Sequence, residues 1–264
     1  MNAPKQLYIS DEGASNGSSP RAISFLHLLQ LTSASLPVGA YSYSEGLESL
    51  VQTGDLASAQ ALQDWLQSEL RWGSIRVEAA IALRIYQAVM DSDVPRVSYW
   101  DHWLSASRET EELREQSWQM GRALTRLFVQ LEADALPPEL YPMLGLTFSG
   151  PKHPSTTHQA SAPHTAINYA TAFSVASAHY HIPLEDMILG YLHSWISNLI
   201  GAGVKLIPLG QTNGQQVLCQ LYPVIQQTVR NVMLLSDDEL SNCTWGLAIA
   251  SMNHETLYSR LFRS

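Results

Sequence analysis

Apolar residues recur at helical spacing along almost the whole chain, and the alternation that is typical of strands is nearly absent. The clearest element covers about residues 108–132. One stripe runs through it at intervals of three and four residues: Leu113, Ser117, Met120, Leu124, Leu127 and Leu131. Positions at this spacing lie on one face of a helix, so the stripe predicts a long helix that buries this face.

The same spacing predicts further helices on both sides of this element. The first lies near residues 22–31, with Ile23, Leu26 and His27 on the same face as Leu31. Others are predicted near residues 47–54, 59–73, 75–90, 164–179, 184–204 and 215–235, with one that begins at the turn 92–95 and continues through Trp100 and Trp103, and one more near the C-terminal end. The pattern therefore predicts an all-α, single-domain bundle of about nine or ten helices.

Two segments have the form of a capping box, in which a Ser hydroxyl and a Glu three residues later satisfy the first N–H groups of a helix. Ser42–Glu45 is expected to open the helix near residues 47–54, and Ser236–Glu239 is expected to precede the last helix.

Composition divides the chain into three expected regions. Residues 1–20 are rich in Gly, Ser, Asn and Pro near their end, which predicts a disordered lead-in without a signal peptide. Residues 21–250 form the helical domain, and residues 251–264 form a tail.

The most apolar stretch, 187–209, contains several polar residues and one Lys, so we interpret it as a buried helix and expect no membrane span. A cytoplasmic location follows as a prediction.

Charge is both acidic and unevenly distributed. The formal net charge of −9 argues against binding to nucleic acid or to an anionic membrane. Residues 153–229 carry only three charges, Glu185, Asp186 and Lys205. Helices without charge are enclosed by their own fold, solvated by Ser, Thr, Gln and Asn, or covered by a partner. We expect part of this surface to be an interface.

A search for chemistry identifies no enzyme. The chain has no phosphate-binding Gly-rich loop and no nucleophile elbow, so neither catalytic residues nor a cofactor are predicted. His153, His158 and His164 could make a transient metal contact, but no HExxH helix is present and no metal site is assigned. The acidic cluster at the start of the long helix is interpreted as a solvated face that matches the helix dipole: Glu109, Glu111, Glu112 and Glu115.

Four segments resemble the motifs of a known family in the family's order. They are LPVGAYSYSEGLE at residues 36–48, SRETEELREQSWQMGR at 107–122, SNLIGAGVKLIPLGQTNGQ at 197–215 and HETLYSRLFRS at 254–264. Together they resemble the UreF family of urease accessory proteins over about residues 22–264. Lys205 stands where Arg is common in that family.

The resemblance implies an all-α, dimeric, non-catalytic protein that bridges a UreD/UreH-type accessory protein and the GTPase UreG. In such a complex the chain would regulate GTP-dependent nickel delivery to apo-urease. A metallochaperone that carries nickel on the loop histidines is the alternative. The expected partner-binding residues lie in the matching segments: Tyr41, Ser42, Glu48, Arg108, Glu109, Arg114, Tyr258, Arg260, Leu261, Phe262 and Arg263.

The tail has a physical argument of its own. Chain ends are usually loose unless they are docked, and Leu261 and Phe262 are costly to expose to water. We expect this tail either to become ordered on UreD/UreH or to dock back onto its own domain.

Overall fold

A computed structural model describes residues 19–132, 166–242 and 245–264. Within these ranges the chain contains ten α-helices and no strand, which confirms the all-α prediction. Short 3-10 turns occur at Ala40–Ser42 and Asp237–Glu239. The helices are α1 (Pro20–Leu31), α2 (Leu47–Gln52), α3 (Ala59–Trp72), α4 (Ser74–Met90), α5 (Val94–Ser107), α6 (Glu111–Leu131), α7 (Tyr169–His179), α8 (Leu184–Leu206), α9 (Gln211–Leu234) and α10 (Trp245–Glu255).

The core is built around α7, in which every residue from 170 to 178 is buried. This helix packs between α4 and α6, while α9 covers α3 and α8. Asp101 on α5 fixes the start of α7, because its buried carboxylate accepts hydrogen bonds from the backbone N–H of Asn168 (3.0 Å) and the hydroxyl of Thr171 (2.5 Å). The central helix is thus held by apolar packing and by a buried polar anchor.

A glycine permits the close approach of α6 to α7. A Cβ at Gly121 would lie 2.2 Å from the carbonyl oxygen of Ile167 and 2.7 Å from the backbone of Asn168. These distances are too short for any side chain, so the two helices can pack this closely only with Gly at this position. The predicted stripe of α6 is buried from Leu113 to Leu124, whereas Leu131 at its end is exposed.

The charge-poor region 153–229 has two explanations inside the chain itself. Helices α7 and α8 are largely enclosed by the rest of the fold. Helix α9, in contrast, exposes one face on which neutral polar side chains replace charged ones: Gln211, Thr212, Asn213, Gln215, Gln216, Gln220, Gln226 and Gln227. Enclosure and neutral solvation therefore account for the missing charges in the described part, and an interface there stays a prediction.

The predicted inner face of α1 is wrong. Ile23 and Leu26 are 42% and 63% exposed, whereas Ser24, Leu28 and Leu31 are buried. The helix is apolar on nearly all sides, so periodicity alone could not identify the face that packs on α8.

The capping box predicted at Ser42–Glu45 is also wrong, although the helix that follows it exists. Gly46 is the N-cap of α2, and no side chain caps this helix. The carboxylate of Glu45 instead accepts hydrogen bonds from Gln116 and Trp195 in the interior. The second box, Ser236–Glu239, forms as predicted but opens a 3-10 turn, and α10 begins only at Trp245.

No helix in the described ranges is long and apolar enough to cross a membrane. The apolar stretch 187–209 lies mainly in α8, whose residues are mostly buried or half-buried, as predicted. Residues 1–18 of the predicted lead-in 1–20 lie outside the described residues, as does the histidine loop at 153–164; Pro20 begins α1.

Candidate partner-binding site

A tight turn precedes α2 and creates the surface on which the C-terminal residues dock. Glu45 and Gly46 both adopt positive φ, 51° and 80°. At Gly46 this conformation favours glycine, and a Cβ would also lie 2.9 Å from the backbone nitrogen of Ser251 on α10. The turn therefore lets α10 pack directly against the start of α2.

Residues 260–264 contact residues 42–48 and helix α6, and we call these contacts the tail clasp. The backbone N–H of Arg263 donates to the carbonyl of Ser42 (2.9 Å), and that of Ser44 donates to the carbonyl of Ser264 (2.6 Å). The carboxylate of Glu48 accepts from the backbone N–H groups of Leu261 (2.8 Å) and Phe262 (3.0 Å). A single buried side chain thus satisfies two tail amides.

Side-chain packing completes the tail clasp. Phe262 is only 6% exposed, and the ammonium group of Lys205 on α8 lies 5.4 Å from the centroid of its ring. This is the geometry of a cation–π contact. Ser264 is buried as well, and its hydroxyl donates to the amide oxygen of Gln116 on α6.

A buried histidine connects the tail clasp to α6. His254 is fully buried, and its Nε2 and Nδ1 atoms lie 3.3 Å and 2.9 Å from carboxylate oxygens of Glu48 and Glu112. Glu112 also accepts from the guanidinium of Arg260 (2.6 Å). Glu112 is thus shared between His254 and Arg260, and Glu48 is shared between His254 and the two tail amides.

Beneath the tail clasp, a small cavity of about 50 Å³ is lined by both apolar and polar side chains. Glu78 accepts hydrogen bonds from Arg108 (2.5 Å) and from the hydroxyl of Tyr191 (2.8 Å). Burial is the largest single influence on the pKa of Arg108 and works to lower it, but Glu78, Tyr191 and Glu45 together outweigh burial and raise this pKa. Burial raises the pKa of Glu45 at the same cavity, and the charge on Glu78 adds to this rise. Arg108 is therefore permanently charged and neutralises an interior carboxylate.

A third interior carboxyl, Glu69 on α3, has a pKa that is raised to about 7 by burial and by the charges on Glu45 and Glu109. The folded chain thus retains a proton that the unfolded chain loses near pH 4.5. Protonation of Glu69 therefore stabilises the folded chain relative to the unfolded chain. This contribution is fully present below pH 4.5 and is lost as pH rises through about 7.

We expect Glu69→Gln, which cannot ionise, to raise the free energy of unfolding at pH 8 by on the order of 2 kcal/mol. The gain should shrink towards pH 5, where Glu69 is protonated in the folded chain. Urea unfolding at several pH values measures this difference. Asp64→Asn on the exposed side of α3 is the control; a gain that is independent of pH would refute the explanation.

The structure brings together part of the predicted residue set. Ser42, Glu48 and Arg260–Arg263 all belong to the tail clasp. Tyr41 is 67% exposed beside it, and Tyr258 is fully exposed in the turn before it.

The remaining predicted residues lie elsewhere on the chain. The side chain of Arg108 is inside, at the cavity. Arg114 donates to the carbonyl of Ser105 (3.0 Å) at the end of α5, and Glu109 accepts from Asn242 (3.0 Å).

Sequence reasoning missed the residues that hold the tail from below. His254, Gln116 and Lys205 lie inside the matching segments but carry no signal of their contacts, because their partners are distant in the chain. The acidic cluster was interpreted as a solvated face, and this is wrong for Glu112, whose side chain is only 17% exposed. Its pairing with His254 and Arg260 is a tertiary contact.

Among the described residues, no group of three or more His, Cys, Asp or Glu side chains could hold a metal ion. The metallochaperone alternative depends on His153, His158 and His164, which lie outside these residues.

Comparison with known proteins gives a consistent result. The family model described as UreF matches residues 56–222. The urease accessory protein UreF of Nostoc sp. is 52% identical over 240 residues, covering 91% of this chain and 96% of the relative. The proteins of the same name from Trichormus variabilis and Microcystis aeruginosa are 51% and 49% identical, and cover 91% and 90% of the chain. The chain therefore belongs to the UreF family.

Proposed function

We propose that this chain is a non-catalytic scaffold of urease maturation that bridges a UreD/UreH-type accessory protein and a UreG-type GTPase. In that assembly it regulates the GTP-dependent delivery of nickel to apo-urease. Its relatives are named urease accessory proteins, which supports the general role. The scaffold role is supported by the tail clasp, whose contacts hold the C-terminal residues in place while Tyr258 and Leu261 stay exposed.

The tail clasp is the observation that carries this proposal. Its anchors face inwards, whereas Leu261 is 64% exposed and Tyr258 is fully exposed. Both ends of the turn that bears Tyr258 are fixed, because His254 and Arg260 bind the same carboxylate of Glu112. A rigid turn loses little conformational entropy on binding, and exposed Tyr and Leu side chains supply contact area.

The same geometry divides the predicted partner-binding residues by role. Tyr41, Tyr258, Leu261 and Arg263 have exposed side chains and are proposed to contact partners. Ser42, Glu48, Arg260 and Phe262 are proposed to hold the tail in place. Arg108, Glu109 and Arg114 already bind other groups of the chain, so we propose that the GTPase is regulated through surface contact and not through one of these arginines.

The proposal includes a homodimer that works in the cytoplasm. Exposed apolar side chains on α1 support an assembly, because a monomer rarely groups such residues on one helix: Ile23, Phe25, Leu26 and Leu29. A mass measurement of the purified chain tests the dimer.

Co-purification tests the bridging role. We expect Tyr258→Ser/Leu261→Ser to reduce recovery of the accessory protein or of the GTPase by about tenfold, since exposed anchors are removed while the fold is kept. Leu234→Ser is the matched control, because Leu234 is 84% exposed on α9, away from the tail clasp. Equal recovery of both proteins by variant and wild type would contradict the proposal. Deletion of residues 256–264 is less informative, because it also removes the partners of Glu48.

A further inference from the structure

A second cavity, larger than the one beneath the tail clasp, lies between α8 and the segment 32–41. Its volume is about 170 Å³, and we call it the α8 cavity. Part of its lining is apolar and comes from the buried side chains of Leu36, Val38 and Ala202. An engineered protein cavity of roughly 150 Å³ holds benzene, so the α8 cavity is large enough for a small organic molecule.

A row of three positions on α8 gives the cavity its polar side. Ser197, Gly201 and Lys205 all line the cavity and follow one another at intervals of four residues, so they lie on one face of the helix. The hydroxyl oxygen of Ser197 is buried and has no hydrogen-bond partner among the described residues. A Cβ at Gly201 would meet no atom within 4 Å, so open space lies between the hydroxyl and the lysine along the helix. A ligand that bonds to this hydroxyl would recover the cost of burying it unpaired.

The charge at the cavity is positive. Of the described residues that line it, Lys205 is the only charged one. No carboxylate in the described ranges pairs with this lysine, and its contact with the ring of Phe262 leaves its N–H donors available to an oxygen ligand. Glu45 belongs to the smaller, adjoining cavity, where its two oxygens already accept from Gln116 and Trp195. The α8 cavity therefore favours an anion over a cation.

We propose that the α8 cavity binds a small monocarboxylate with a short aliphatic chain. The ligand carboxylate pairs with the ammonium group of Lys205 and accepts a hydrogen bond from the hydroxyl of Ser197, while its chain packs on Leu36 and Val38. A dianion would bring a second charge against apolar side chains without a second cation to pair with it. This binding site goes beyond the scaffold role and does not depend on it.

Three ligands that share one aliphatic chain and differ in charge test the proposal on the full chain: butyrate, butanol and butylammonium. We expect butyrate to bind with a Kd on the order of 1 mM, as suits a ligand of this size, and at least about tenfold more tightly than butylammonium. Butanol should bind with an affinity between these two. Ligand-observed NMR titration at constant ionic strength measures all three affinities. Equal binding of butyrate and butylammonium, or no binding of butyrate up to about 20 mM, would overturn the proposal.

Variants locate the binding on the molecule. Lys205→Met keeps an apolar stem and removes the ammonium group, so it should weaken butyrate by about tenfold and leave butanol within about twofold. Gly201→Leu fills the open space at a position whose Cβ meets no other group, and it should abolish binding of both ligands. The control Arg230→Met removes an exposed cation from α9 and should leave butyrate within about twofold.

Circular dichroism confirms that each variant is folded. Wild-type affinity for butyrate in folded Gly201→Leu would refute the assignment to the α8 cavity, and so would an equal loss of affinity in Lys205→Met and Arg230→Met. These measurements need no accessory protein. A failure of butyrate to bind leaves the scaffold role untouched, and a failure of co-purification leaves the ligand site untouched.

Discussion

Replacement of Glu48 by alanine should release residues 260–264 and lower the free energy of unfolding by about 3 kcal/mol. The change leaves the amides of Leu261 and Phe262 without their acceptor, and it removes one of the two carboxylates that face His254. Buried donors that lose a partner pay their full desolvation cost. Urea unfolding measures the loss of stability.

Limited trypsin digestion separates release of the tail from general destabilisation, because Arg260 and Arg263 should become cleavable in the folded Glu48→Ala variant. Glu111→Ala is the control, since Glu111 is exposed on the same side of the molecule. A variant with wild-type stability and a protected tail would show that Glu48 does not hold the tail clasp.

Replacement of Arg108 by alanine should cost about 3–5 kcal/mol, because it leaves the buried carboxylate of Glu78 without its cation. Burial of both partners makes this the largest loss expected from any single arginine on α6 or at its start. Arg126→Ala, on the exposed side of α6, should change stability by less than about 0.5 kcal/mol.

A double variant tests whether Arg108 acts only within the fold. Arg108→Met/Glu78→Gln removes both charges together and should recover most of the lost stability. If it also restores co-purification with the GTPase, the arginine is a structural partner of Glu78. A folded double variant that no longer regulates the GTPase would instead indicate that the guanidinium acts on the partner.

Periodicity identified the helices well where one face is apolar and the other polar, as on α6. It failed on α1, where Phe25, Leu26 and Leu29 are as apolar as the buried Leu28 and Leu31. Which side of such a helix packs inwards depends on its neighbours, here α7 and α8. A single sequence does not contain that information.

The candidate site was only partly accessible to sequence reasoning for a related reason. The matching segments identified where partner-binding residues should lie, but not which of them face inwards. The segment from Ser42 to Glu45 has the composition of a helix cap. The carboxylate of Glu45 nevertheless accepts a hydrogen bond from Trp195, which lies 150 positions away in the chain. Buried polar pairs such as Arg108 with Glu78 arise from tertiary packing and leave no local pattern.

The tail clasp has a consequence for the order of folding. Glu48 and Phe262 are 214 positions apart, and Ser44 and Ser264 are 220 apart, so closing this contact requires almost the entire chain to be arranged first. Contacts of long sequence separation pay a large loop-closure entropy and form slowly unless earlier contacts shorten the effective loop. Docking of α10 against Gly46 and α6 shortens the effective loop between the tail and residues 42–48. The rigid turn that presents Tyr258 is therefore among the last features to form, and it exists only on chains whose helical core is already complete.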